Sequence, residues 1–385
     1  MRWQTTVLTG SAILLGALLC ACSLKPEART TDPASDGRAT PALKPAIPAS
    51  FDLAGKVKAD EFNDQAIQAE APAQGGQVVI RFNAEPETLG TWLSTADAYT
   101  QYISFFYIYD TLLWENWETF ELEPMLAELW LEEDIVVKQD GTKLRGTVTS
   151  GEEGGKSDVQ MKTSEGETLR VPAREVKEIR KGVAFTFYLR RDVRFHDGKP
   201  FTAADVKFSL DTVLNENVDA PDMRQEFVDL ESYQVLDPYT VRVTFAKPYW
   251  KPRKDLGRLE MLPKHIYDWD DLQEKDPKAF GKRFNESEYH RKPMGTGPYK
   301  FERWDTGQQV VLVRNEEYWN RGRRGHLDRP IFKFIDDPVP ALQALKNGEV
   351  NFIPGRLTGA QFDTEMSDPE FLRKFAKVEF FTPGF

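Results

Sequence analysis

The sequence predicts a mixed α/β fold, and three stretches carry that prediction. In residues 183–195, "VAFTFYLRRDVRF", the apolar residues Val183, Phe185, Phe187, Leu189, Val193 and Phe195 keep one parity, while Thr186, Arg190 and Arg194 keep the other. Period two marks a strand with one buried face, with a turn expected near Arg191 and Asp192. After "HDGKP", where Asp197-Gly198 is a turn pair and Pro200 halts pairing, Thr202 and Asp205 stand at capping-box spacing. Ala203, Val206, Leu210 and Val213 then share one helical face. The third stretch, "YTVRVTF" at 239–245, alternates again and predicts a second strand.

Other elements follow the same logic. Residues 78–82 form a short apolar run read as a buried strand, followed by the loop "AEPETLGTWLSTADAYT". "QYISFFYIYDTLLWEN" has helical spacing and is expected to be a helix packed into the core. "EPMLAELW" reads as Pro124 and a short helical turn. Residues 293–319 read as a glycine-bearing loop, a strand, a turn at Thr306-Gly307 and a second strand. "PALQALKNGEVNF" reads as a helix stopped at Asn347-Gly348 and a strand over 350–353.

The chain has 385 residues, a formal net charge of -11 and a pI near 5.1. That length allows two or three domains, and the acidic balance argues against nucleic acid as a partner. Aromatics at 12% and nine tryptophans place most of the chain among folded proteins. The two cysteines, Cys20 and Cys22, are both near the start, so the body can have neither a disulfide nor cysteine-based chemistry. His196, His265, His290 and His326 show no metal-binding spacing, and neither a metal nor any other cofactor is expected.

The apolar run 7–19 is too short for a membrane span, which needs roughly 20 residues, and fits the core of a signal peptide over 1–21. "LCAC" resembles a bacterial lipobox with Cys22 as the lipid acceptor. Residues 22–74, with six prolines, read as a solvated linker between anchor and body. The expected localisation is the cell envelope, lipid-anchored on its periplasmic or extracellular face.

Seven stretches, in order, resemble the family 5 extracellular solute-binding proteins: "EPMLAELW", "FTFYLRRDVRFHDGKPFTAADVKFSL", "LDPYTVRVTFAKP", "LPKHIY", "GTGPYKFERW", "VVLVRNEEYW" and "ALKNGEVNF". Each is weak alone; their shared order is specific. The resemblance implies an α/β, periplasmic-binding-protein-like fold of type II, two-lobed and closing on its ligand by a hinge. It implies a substrate-binding lipoprotein that is monomeric and hands oligopeptides or dipeptides to an ABC permease. A nickel chelate or an oligosaccharide is the alternative ligand, and an envelope adaptor without a transport role is the alternative of another class. An enzyme is not expected.

Two departures from the family pattern stand out. Residues 135–182 interrupt the body, which is expected at 75–134 and 183–385. Hairpin turns at Asp140-Gly141 and Glu165-Gly166, with short alternating strands between them, predict a small all-β, barrel-like insert there. A surface-loop decoration is favoured over an extra docking face for such an insert, because loops tolerate insertions. The last residues resemble the approach to the family's second lobe, so the fold is expected to be incomplete. In peptide-binding relatives the acidic residue that pairs the ligand amine lies in that later part.

His196-Asp197 invites a catalytic reading, but no GxSxG elbow or other nucleophile accompanies it, and a structural turn is expected. Thr95, Asp97 and Tyr99, after the first body strand, are the expected ligand contacts, because open α/β sheets bind at strand carboxyl ends. Gly297 and Tyr299, in a "GTGPY" loop lacking the Lys-Ser/Thr of a phosphate loop, are expected beside the pocket on the strength of the resemblance. Trp304 and Trp319 are expected to be core rather than stacking platforms.

Overall fold

The structure, a computed structural model, describes residues 3–9, 74–116, 119–247, 252–355 and 357–381. Cys22, the linker up to residue 73 and all of the expected signal peptide except Trp3–Thr9 lie outside the described residues.

In chain order the strands are β1 (Trp3–Thr9), β2 (Gln77–Phe82), β3 (Leu113–Glu115), β4 (Leu122–Pro124), β5 (Ala127–Lys138), β6 (Lys143–Ser150), β7 (Val159–Lys162), β8 (Thr168–Val171), β9 (Val176–Leu189), β10 (Leu230–Asp237), β11 (Thr240–Phe245), β12 (Tyr299–Asp305), β13 (Gln309–Arg314), β14 (Arg329–Phe334), β15 (Phe352–Ile353) and β16 (Phe375–Phe381). One sheet runs β12-β13-β14-β2-β15-β1-β16, with β14, β2 and β15 parallel. The second runs β10-β11-β9-β5-β6-β7-β8, with every pairing antiparallel. A single apolar cluster joins Ile80 and Phe332 of the first sheet to Phe185, Phe187 and Val243 of the second, along with Val206 and Leu210 of the helix Ala203–Leu214.

That helix opens as expected. Asp205 reaches back and accepts from the Thr202 backbone N–H at 2.9 Å and from its hydroxyl at 3.1 Å. Gly198 closes the preceding turn with φ of 88°, a left-handed value that glycine adopts without strain.

Two expectations need correction. The helix expected over 101–116 ends at Ile108, and Gln101–Ile108 is a π-helix following a short turn at Ala98–Thr100. Tyr109 is extended, its N–H returns to the Ser104 carbonyl at 3.0 Å, and Leu113–Glu115 is β3. Wide-pitch bonding turns side chains that 3.6-residue spacing would bury toward the helix flank. "EPMLAELW" is not a helical turn, because it ends β4 and begins β5. Ala127 to Lys138 pairs along nearly the whole of β9, and this tertiary ladder overrides the weak helical preference of Leu-Ala-Glu-Leu. The strand expected over 350–353 is confined to Phe352–Ile353.

The insert is all-β and turns at Gly141 and Gly166, with φ of 87° and 88°. It has an apolar cluster of its own, Val136, Val159, Met161, Val171 and Val176. Its strands extend the body's second sheet, since β5 and β9 run without a break through positions 134–135 and 182–183.

Candidate functional site

The three parallel strands end side by side, and one buried side chain ties their ends together. Arg81, only 2% exposed, donates from Nε to the Ile335 carbonyl at 2.7 Å, from Nη2 to Asp336 at 2.6 Å and from Nη1 to Gly355 at 3.4 Å. A buried guanidinium that satisfies three loop carbonyls holds the carboxyl edge of the sheet in one shape.

The loop leaving β2 is pinned from behind. Leu89 N–H donates to the His290 carbonyl at 2.7 Å, and the Ser104 hydroxyl to the Leu89 carbonyl at 2.7 Å. Farther along, the Ser94 hydroxyl donates to Asp219 at 2.6 Å. Glu85 accepts from the Trp304 indole at 2.6 Å and from the Gly307 N–H at 3.0 Å.

Thr95 lies exposed on this loop. The Asp97 carboxylate caps the helical turn, its Oδ1 accepting from Tyr99 N at 2.9 Å and Thr100 N at 2.8 Å, so that oxygen is engaged by the backbone. Tyr99 is half-buried, packs on the Phe82 ring at 4.6 Å and donates its hydroxyl to Asn83. Asp97 and Tyr99 meet in this turn, and Tyr99 places it beside the end of β2.

Gly297 and Tyr299 lie deeper. A Cβ on Gly297 would stand 2.7 Å from backbone atoms of Tyr107 and Ile108, so glycine is needed there for close approach. Tyr299 is 5% exposed, and burial pushes its hydroxyl up to about 12. Its ring meets Tyr107 at 5.6 Å, which links it to the back of the π-helix and not to the loop carrying Thr95.

A row of half-buried aromatic rings, not anticipated from the sequence, lies beyond Tyr99 on the far side of buried Phe82. Phe82 meets Tyr102 at 5.6 Å, Tyr102 meets Phe106 at 5.8 Å, Phe106 meets Phe105 at 5.1 Å, and Phe105 stacks with Trp114 at 6.4 Å. The Arg323 guanidinium sits 5.3 Å from the Trp114 ring centre and pairs with Glu123 at 2.8 Å. The available signal was aromatic density: Tyr102, Phe105, Phe106 and Tyr107 crowd more rings into six residues than a one-sided core helix needs.

Behind the strip, Asp110 is 2% exposed and gathers three donors: the Thr296 hydroxyl at 3.1 Å, the Tyr318 hydroxyl at 3.0 Å and the Trp319 indole at 2.9 Å. Burial raises its pKa, and the three donors oppose that rise. Trp319 therefore serves the interior, while half-buried Trp304 lies under the Arg291 guanidinium at 3.6 Å.

His196 and Asp197 do not form a couple. The His196 ring bonds the glycine loop, its Nε2 at 3.0 Å from the Gly297 carbonyl and its Nδ1 at 3.4 Å from the Gly295 N–H. Asp197 turns away to His265 Nε2 at 2.7 Å. Among the described residues no cluster of three or more histidine, cysteine or carboxylate side chains is placed to hold a metal ion. None of the described helices is long and apolar enough to cross a membrane.

A mixed sheet beside an antiparallel sheet is the arrangement of a periplasmic-binding-protein-like α/β fold. Residues 121–373 match the family described as bacterial extracellular solute-binding proteins, family 5, and the chain belongs to that family. The family consists of binders and not of enzymes. The oligopeptide-binding protein AppA of Bacillus subtilis is 28% identical over 217 residues, which are 54% of this chain and 35% of AppA. The structure of that protein with a nonapeptide superposes with a TM-score of 0.55 at 25% identity, covering 77% of this chain and 47% of the solved one. NikZ of Campylobacter jejuni, solved with Ni(L-His), shares the fold with a TM-score of 0.50 at 24% identity, over 76% of this chain and 45% of its own. The chain thus spans about a third of its curated relative and about half of each solved structure.

Proposed function

We propose that this protein is the solute-capturing lipoprotein of a bacterial ABC importer, binding short peptides at the carboxyl edge of β2, β14 and β15 and passing them to a membrane permease. The observation that carries the reading is the run of half-exposed rings Tyr99, Tyr102, Phe106, Phe105 and Trp114, joined through buried Phe82, beside a loop that exposes Thr95. Half-exposed rings suit the apolar side chains of a peptide, and the loop backbone around Thr95 suits its main chain. AppA, a peptide binder by name, supports the substrate class. Asp97, Gly297 and Tyr299 act in this reading by shaping the site from behind. Cys22 carries the lipid that holds the body near the permease, and residues 135–182 form an appended all-β unit.

Calorimetric titration of the full natural protein with a mixed library of di- to nonapeptides tests the substrate. Binding that weakens by about tenfold in Phe105→Ala and Trp114→Ala, with little change in melting temperature, is the expected result. No heat with any peptide, alongside binding of a non-peptide solute, would remove the peptide reading. An unchanged membrane fraction for Cys22→Ala would remove the anchor.

A further inference from the structure

The row of half-exposed rings ends in a charged corner. Trp114 closes the row on β3, and Glu123 stands opposite it on β4. Residues opposed in this way lie on one face of a hairpin. Both oxygens of the Glu123 carboxylate are held: Oε1 accepts from the Asn116 amide at 2.8 Å and Oε2 from Arg323 Nη2 at 2.8 Å. The Arg323 guanidinium lies 5.3 Å from the centre of the Trp114 ring. Its backbone N–H donates to the Asn320 carbonyl at 3.1 Å and to the Asn320 side chain at 3.2 Å, which fixes the turn that carries it.

Support in this corner runs one way. Asn116 orients Glu123, Glu123 orients Arg323, and the arginine is the last member of the chain. A guanidinium has five N–H donors, and Glu123 takes one of them. The Arg323 side chain is 32% exposed, and none of its nitrogens is among the buried polar atoms left without a partner, so the donors that Glu123 does not use reach solvent. A second guanidinium, that of Arg190, rests on Trp319 at 4.7 Å, and both arginines lie within electrostatic reach of buried Tyr318. An arginine held at one nitrogen, flanked by an indole and open along the rest of its fork suits a planar anion. A carboxylate matches that fork with two parallel N–H···O bonds, and a guanidinium gives up its water more readily than an ammonium does. A ligand cation would instead have to compete with Arg323 and Asn116 for Glu123.

We propose that Arg323 seats a carboxylate of the captured solute at the end of the ring row, aimed there by Glu123 and Asn116. This seat depends on the reading that the rings from Tyr99 to Trp114 take the solute, and it adds a charge requirement: solutes with a free carboxylate bind more tightly than neutral ones of the same shape. In a peptide that group is the C-terminus or an acidic side chain. Glu123 and Asn116 are positioning residues in this arrangement.

Calorimetric titration of the full natural protein with one tripeptide library in three forms tests the seat: free acids, C-terminal amides, and C-terminal amides that carry a glutamate. A carboxylate-bearing form is expected to bind about tenfold more tightly than the plain amides. Gain in the free acids alone assigns the C-terminus, and gain in the glutamate-bearing amides assigns an acidic side chain. In Arg323→Gln that ratio is expected to fall toward one, while Arg323→Lys keeps a smaller preference, because an ammonium cannot make the bidentate pair. A purely structural role would weaken every form by the same factor and leave the ratio untouched, which would overturn the seat. Equal binding of all three forms by the natural protein would overturn it while leaving the peptide reading intact, and no binding of any form would remove both. Affinity that needs a free N-terminal amine and is lost in Glu123→Gln but not in Arg323→Gln would assign the corner to an ammonium group instead. The comparison of the three forms on the natural protein stays decisive if Arg323→Gln does not fold.

Discussion

The imidazole Nε2 of His196 lies 3.0 Å from the carbonyl oxygen of Gly297, joining two turns that are 101 residues apart. The Gly295 N–H points at Nδ1 from the other side, which leaves Nε2 as the protonated nitrogen and the donor to Gly297. The ring is a neutral clamp between the "HDG" turn and the "GTG" loop, and protonating it would set a second N–H against the Gly295 N–H.

Acid stability should follow from this clamp. Burial lowers the His196 pKa from 6.5 to about 4. The native state therefore binds fewer protons than the unfolded chain between those values, and stability present above pH 6.5 is lost as pH falls toward 4. The loss should be roughly 2 kcal/mol, since the residue keeps some exposure. Denaturant melts at pH 4.5 and 7 are expected to differ less in His196→Gln, which retains a donor but does not titrate.

Glu260 should act in the opposite sense. Its pKa is raised from 4.5 to about 7 by burial. Its contribution is full below pH 4.5 and is lost as pH rises through 7, by roughly 3 kcal/mol for a fully buried group. Glu260→Gln is expected to gain on the wild type as pH climbs from 5 to 8 in thermal melts. A constant difference across that range would show that the carboxyl titrates normally.

Close approach at the glycine loop gives a sharper contrast. A Cβ on Gly295 would meet the Ile108 carbonyl oxygen at 2.0 Å, and one on Gly297 would meet Ile108 and Tyr107 backbone at 2.7 Å. Each alanine substitution is expected to cost on the order of 2–4 kcal/mol, because backbone on both sides must shift. Gly322→Ala, where the nearest atom is 3.5 Å away, serves as a control and should change stability by less than about 0.5 kcal/mol.

Asp110→Ala should be among the most damaging single changes. It strands the donors of Thr296, Tyr318 and Trp319 in the interior. A cost of about 3–5 kcal/mol is expected in urea unfolding. Asp110→Asn should cost less, since its amide oxygen can still accept from Thr296 and Trp319, the two donors that share Oδ2.

Much of the scaffold was legible in linear order. Parity in 183–195, the Thr202–Asp205 box and the glycine turns at 141, 166, 198 and 307 are local signals, and each produced its element. "LAELW" and "QYISFFYIYD" misled because their outcome is not local. The first became strand once β9 lay beside it, and the second unwound into a π-helix that stops at Ile108, two residues before a buried aspartate that bonds residues about 200 positions away.

The sequence by itself determined the fold class and the family, since both rest on patterns that neighbouring residues carry. Only the tertiary structure decided which of these side chains stay at the surface. Asp97 was drawn into a helix cap, Gly297 and Tyr299 were packed against the π-helix, and Tyr99, Tyr102, Phe105, Phe106 and Trp114 were left half-exposed. Exposure depends on what packs against a residue from elsewhere in the chain, and short-range spacing carries no record of that partner.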